Sequence, residues 1–139
     1  MLLFCGLWLM AVGLYFILVR PALLPEDLRF VGESLVRIQA AIPGLERWLR
    51  LVFVVLGGFE FGAGVLCTYL VVVVLPSRPR GATWLISIVG LSTVALMSAV
   101  NFELHSDFRW VLLIPTVLWG VGLAAYVLEG RRLDPRRSL

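Results

Sequence analysis

Residues 51–75 read LVFVVLGGFEFGAGVLCTYLVVVVL, an apolar run in which Glu60 is the one charged residue. A run of about 18 or more apolar residues is long enough to cross a bilayer hydrocarbon core of roughly 30 Å. We therefore expect this stretch to be a helix that spans a membrane.

Three other stretches of the chain have the same character: residues 2–19, 82–100 and 110–128 are apolar and carry no charged side chain. The chain has 139 residues, 60% of them hydrophobic, which leaves no room for a separate soluble domain. The sequence thus predicts one all-α membrane domain, a four-helix transmembrane bundle. The first stretch lacks a basic start and is followed by Arg20-Pro21, so we expect it to remain as a helix and not to be cleaved as a signal peptide.

The first loop has its own helical pattern. Pro25-Glu26-Asp27 has the proline and acidic residues of a helix start, and Pro43-Gly44 marks an end. Between them, apolar residues recur at spacings of three and four, at Leu28, Val31, Leu35, Ile38 and Ile42. This periodicity predicts an amphipathic helix over residues 26–41, on the membrane surface or capping the bundle.

The arginines give a preferred orientation. Four spans place both termini on one side, and six arginines fall on each side of the membrane. Those on the side of the termini lie closer to span ends, where they count most in the positive-inside rule. We therefore expect both termini in the cytoplasm, with the protein in the cell (inner) membrane. The arginines on that side are Arg78, Arg80, Arg131, Arg132, Arg136 and Arg137.

Glycines divide the second span into two faces. Gly58 and Gly62 form a G-x-x-x-G pair, which lets another helix approach closely. At 100° per residue, Gly57 and Gly64 lie on the face of Glu60. We expect the helix to pack through Gly58 and Gly62, and to leave space around Glu60.

Glu60 is the main candidate for a functional residue. It lies near the bilayer midplane, where a charged carboxylate costs at least a few kcal/mol, so it should face the bundle interior or a wet cavity. Hydroxyl groups at similar depth are candidates to bind it, namely Tyr15, Ser92, Thr93 and Thr116. Two interpretations stay open: a binding or proton-coupled site, and a hydrogen bond that only joins helices.

The third loop places Glu103, His105 and Asp107 at alternate positions. On an extended segment they would project to one side as weak candidate metal ligands, with Glu26 or Asp27 as an added ligand. Three ligands so close in sequence seldom close a tetrahedral site without help. We favour a polar turn between two spans, and no bound metal.

Several function classes lack their sequence signals. One histidine and scattered serines do not indicate nucleophilic catalysis, and no phosphate- or dinucleotide-binding glycine loop is present. A dispersed net charge of +3 does not indicate nucleic-acid binding. We expect no enzyme activity and no cofactor.

The string Gly57-Gly58-Phe59-Glu60-Phe61-Gly62-Ala63-Gly64, the chain length and the four spans together resemble the DoxX-like grouping of small four-helix bacterial membrane proteins. The motif covers about a tenth of the chain, and the first loop is longer here than in compact members of the grouping. The resemblance implies a four-helix membrane fold and little about function.

Two functions follow as expectations. The first is an accessory or interaction subunit of a membrane complex, which would contact the lipid bilayer and other membrane subunits or a second copy of itself. The second is a small transporter or lipophile-binding protein that uses Glu60.

Overall fold

The computed structural model describes residues 1–133, and this part of the chain is helical with no strand. The helices are α1 (Leu2–Leu18), α2 (Pro25–Val31), α3 (Leu35–Ala41), α4 (Leu45–Ser77), α5 (Ala82–Glu103) and α6 (Arg109–Leu133). The all-α prediction is confirmed. Arg136 and Arg137, two of the arginines predicted on the cytoplasmic side, lie outside the described residues.

Three helices, α4, α5 and α6, are long and apolar enough to cross a membrane. They contain the predicted spans 51–75, 82–100 and 110–128. The remaining predicted span, 2–19, corresponds to α1, an apolar helix of 17 residues. At 1.5 Å per residue α1 is about 25 Å long, which is shorter than the roughly 30 Å hydrocarbon core.

The closest helix contact joins α1 to α4 through glycine. Gly6 lies against Gly64 and Thr68, and Gly13 lies against Gly57 and Phe61, so the two helices run antiparallel. A Cβ atom added at Gly13 would come within 2.5 Å of the backbone nitrogen of Phe61, and one at Gly64 within 2.6 Å of the nitrogen of Met10. The absence of side chains at these glycines lets the two backbones touch.

Within the described chain the second span packs through Gly57 and Gly64, and not through the predicted face of Gly58 and Gly62. Gly57 and Gly64 are buried against α1, whereas Gly58 is exposed, and a Cβ atom added at Gly58 or Gly62 would meet no described atom within 4 Å. The reason lies in α1, where Gly6 and Gly13 repeat at the same seven-residue interval as Gly57 and Gly64. Two glycine pairs in matching register allow closer approach than one pair alone.

The four apolar helices form one bundle, in which α4 also contacts α6 at the end opposite α2, where Tyr126 Oη donates to the carbonyl oxygen of Leu75 at 3.5 Å. The residues of α4 up to Tyr69 pack mainly against α1, and α1 also contacts α6.

α5 and α6 pack closely where Gly90 lies against the indole of Trp119. Hydrogen bonds join the same two helices: Thr116 Oγ1 donates to the carbonyl oxygen of Val94 at 2.8 Å, and Ser98 Oγ donates to that of Leu112 at 2.7 Å.

The predicted amphipathic helix 26–41 is two short helices. Gly32 ends α2 with a φ of 76°, a left-handed conformation that glycine adopts without strain. Ser34 then begins α3, because its hydroxyl accepts a hydrogen bond from the backbone N–H of Arg37. α3 is exposed apart from Ile38, and α2 alone carries a buried residue, Glu26. We call the end of the bundle that holds α2 the α2 end.

We expect Gly13→Ala to lower the free energy of unfolding by about 1–3 kcal/mol, because the added methyl group overlaps backbone atoms of α4. Gly58→Ala is the matched control, since its methyl group enters open space and alanine favours helix by up to about 1 kcal/mol. Thermal unfolding of both variants in a mild detergent measures the difference. Equal unfolding temperatures for the two variants would contradict the α1–α4 contact.

Candidate functional site

A cavity of about 480 Å³ lies at the α2 end, between α1, α2, α5 and α6. Its walls are mostly apolar. Phe53 of α4 and apolar residues of α1, α5 and α6 form them, among these Val12, Phe16, Met97, Leu104, Val111 and Leu112. Its polar lining includes Arg20, Glu26, Asp27, Asn101 and Ser106. The cavity therefore combines a long apolar surface with charged groups from α2 and the segment before it.

Arg20 follows the end of α1, and its side chain is only 9% exposed. The guanidinium lies 3.6 Å from the centroid of the Phe53 ring and 5.2 Å from that of Phe16. It donates hydrogen bonds to the carbonyl oxygen of Pro21 at 3.0 Å and to Asp27 Oδ2 at 3.2 Å. Stacking on aromatic faces and pairing with a carboxylate are the two ways in which arginine is stabilised away from water.

Asp27 connects this arginine to the start of α2. The same Oδ2 atom accepts a hydrogen bond from the backbone N–H of Leu24 at 2.8 Å. This contact satisfies one of the N–H groups that a helix start leaves without an intrahelical partner. Asp27 thus fixes the first turn of α2 and orients Arg20 with the same atom.

Glu26 is the most buried charged residue of the site, with 5% of its surface exposed. Its Oε1 atom accepts a hydrogen bond from Ser106 Oγ at 3.1 Å, across 80 positions of sequence. Ser106 is 2% exposed, and its hydroxyl also accepts from the backbone N–H of Phe108 at 3.2 Å. The pair attaches α2 to the turn between α5 and α6.

Glu60 is half-buried, and it lies on the same side of α4 as Phe53, seven residues before it, and Cys67, seven residues after it. Residues seven apart on a helix lie within about 20° of one another. Phe53 lines the cavity, and Cys67 packs against the buried core. Glu60 therefore lies on a strip between the cavity and the core, beside the glycine face that contacts α1.

The structure does not bring the predicted hydroxyls together around Glu60. Thr116 hydrogen bonds within the α5–α6 interface, and Ser92 and Thr93 both donate to the carbonyl oxygen of Val89 in their own helix. Tyr15 lines the cavity with Arg20 instead. The predicted cluster does not form, because Glu60 lies on the part of α4 that packs mainly against α1, whereas Ser92, Thr93 and Thr116 bond to carbonyl oxygens of α5. Similar depth in a membrane does not specify which helices are neighbours.

The weak metal candidates also serve other contacts. Asp107 forms an exposed ion pair with Arg29 at 2.9 Å, and His105 Nδ1 lies 2.9 Å from the carbonyl oxygen of Glu103. Over residues 1–133 no three side chains of the metal-binding types are grouped as ligands would be. The third loop is a turn between α5 and α6. In it, the Ser106 hydroxyl accepts a hydrogen bond from the backbone N–H of Phe108, the residue before α6.

Comparison of the chain with protein-family models, curated proteins and solved structures finds no match. The site is therefore interpreted from its geometry. From the sequence, Glu26 and Asp27 were predicted only to start a helix or to add a metal ligand, and neither Arg20 nor Ser106 was predicted to belong to a functional site. One signal was available: Arg20 directly follows an apolar span and lies seven residues before an aspartate.

We expect Asp27→Ala to destabilise the α2 end by about 2–3 kcal/mol, because it leaves the buried Arg20 charge and the Leu24 N–H without their shared acceptor. Limited proteolysis of the loop, followed by mass spectrometry, should show faster cleavage between residues 21 and 44. Asp107→Ala is the control: its ion pair is exposed, so its effect should stay within about 1 kcal/mol. Equal cleavage rates in the two variants would show that Asp27 does not hold α2.

Proposed function

We propose that the chain is an integral protein of the cell (inner) membrane in which α1 crosses the bilayer together with α4, α5 and α6. Two observations support this placement: residues 2–19 carry no charged side chain, and α1 packs against α4 and α6, which are long enough to cross a membrane. We place both termini in the cytoplasm and the α2 end outside. Arg78, Arg80, Arg131 and Arg132 at the opposite end support that orientation.

We propose further that the protein binds an amphiphilic molecule in the cavity at the α2 end. Ligand sites are typically clefts of about 300–1,000 Å³ with apolar walls and a few placed polar groups. The cavity of about 480 Å³ has this composition and is the observation that carries the proposal. The apolar body of the ligand would lie among Val12, Leu104 and Leu112, with its polar head toward Glu26 and Asn101.

The position of the cavity also favours an amphiphile. At the α2 end the apolar spans meet a loop rich in charged residues, as at a membrane–water interface. A lipid-like molecule has the same division into an apolar and a polar part. Such a molecule could enter the cavity from the bilayer while its apolar part stays among apolar groups and its polar part stays among polar ones.

A second candidate function is that of an accessory subunit, and the exposed face of α4 favours it. Gly58 is exposed, the neighbouring Phe59 is 75% exposed, and a helix of a partner subunit could approach Gly58 and Gly62 closely. A transport role for Glu60 and membership of the DoxX-like grouping stay predictions.

We expect native mass spectrometry of the wild-type protein, purified in mild detergent, to show a bound amphiphile that Val12→Phe removes, because the larger ring fills the cavity. Val117→Phe is the control, since Val117 is exposed on α6 and does not line the cavity. A thermal unfolding measurement establishes that both variants fold. Equal occupancy in both variants would contradict binding in the cavity, and a protein partner released by Gly58→Leu would favour the second candidate.

A further inference from the structure

The Glu26 carboxylate is a buried charge with an incomplete set of partners. It lines the cavity, is 5% exposed, and receives a hydrogen bond from the neutral hydroxyl of Ser106. Within residues 1–133, no ion pair forms between Glu26 and an arginine or histidine. A buried carboxylate without a cation is costly, since one hydroxyl replaces little of the water that it has lost.

Arg20 and Arg29, the two arginines closest to Glu26 in sequence, are already engaged. Arg20 is the arginine that lines the cavity, and Asp27 and the two aromatic rings hold its guanidinium. Arg29, on the same helix as Glu26, pairs with Asp107 at the surface. The charged lining of the cavity is thus one arginine and two carboxylates, and the carboxylate left without a cation is that of Glu26.

A further acceptor lines the same cavity. Asn101 Nδ2 donates a hydrogen bond to the carbonyl oxygen of Met97 at 2.9 Å, which leaves the amide oxygen of Asn101 as the atom free to accept from a ligand. An ammonium group has three donors and one positive charge. It could donate both to Glu26 and to Asn101 while it neutralises the carboxylate.

We propose that the cavity selects an amphiphile with a cationic, hydrogen-bond-donating headgroup, a primary ammonium on an apolar chain, and that Glu26 is the residue that recognises it. This inference rests on the proposed binding function. The ammonium lies against Glu26 at the polar end of the cavity, and the chain lies along the apolar walls. An anionic amphiphile is disfavoured because its headgroup would face the Glu26 carboxylate.

The test uses three probes of equal chain length and different head charge: dodecylamine, dodecanol and dodecanoate. Binding to the full chain in phosphatidylcholine nanodiscs is measured by isothermal titration calorimetry near neutral pH, with empty nanodiscs as the baseline. Dodecylamine should bind the wild-type protein at least about tenfold more tightly than dodecanol, a difference of about 1.4 kcal/mol. Dodecanoate should bind most weakly.

Glu26→Gln keeps the size of the side chain and removes its charge, so it should abolish the preference for dodecylamine over dodecanol. Glu103→Gln is the matched control, because Glu103 is exposed at the same end of the bundle and does not line the cavity. It should bind like the wild type. Thermal unfolding and the retained binding of dodecanol establish that the Glu26 variant is folded.

The outcomes separate the two proposals. Equal binding of dodecylamine and dodecanol, or an unchanged preference in Glu26→Gln, would overturn the recognition by Glu26 and leave amphiphile binding intact. Absence of binding by all three probes would overturn the proposed function itself, and this inference with it.

Discussion

The backbones of α1 and α4 are in direct contact at four glycines, namely Gly6, Gly13, Gly57 and Gly64. Since α4 packs mainly against α1, this contact determines where the aromatic side chains of α4 lie. It places the Phe53 ring edge-on to Phe16, and the two rings hold the Arg20 guanidinium. Arg20 in turn pairs with Asp27, and the adjacent residue, Glu26, is buried at the cavity.

This glycine contact is typical of helices in a lipid bilayer, where the lipid chains are as apolar as the helix side chains. Van der Waals packing between small residues and hydrogen bonds between helices then replace the hydrophobic effect as the main source of stability. The α1–α4 pair uses glycine, and the α5–α6 pair uses Ser98 and Thr116. The cavity lies at the end of the bundle, between these two pairs, where charged side chains from the loop cover it.

The sequence predicts the helical class and the cores of the three long helices correctly, because a long apolar run has few alternatives to a helix. Gly32 and Ser34 are sequence signals for the end of α2 and the start of α3. The apolar periodicity runs across both residues, and it predicted a single helix. To predict which glycine face of α4 packs against α1, one has to notice that Gly6 and Gly13 of α1 have the same seven-residue spacing as Gly57 and Gly64 of α4. The cavity could not be predicted, since it joins Glu26 to Ser106 across 80 positions and depends on which helices are neighbours.

We propose Glu26 in the cavity as the ligand-recognising residue, whereas the sequence indicates Glu60 as a candidate for either a binding site or a hydrogen bond between helices. The most direct measurement compares the affinity of dodecylamine for Glu26→Gln and Glu60→Gln in the same nanodiscs. We expect Glu26→Gln to weaken binding by about tenfold or more, and Glu60→Gln to bind like the wild type. Loss of binding in Glu60→Gln with unchanged affinity in Glu26→Gln would contradict recognition by Glu26.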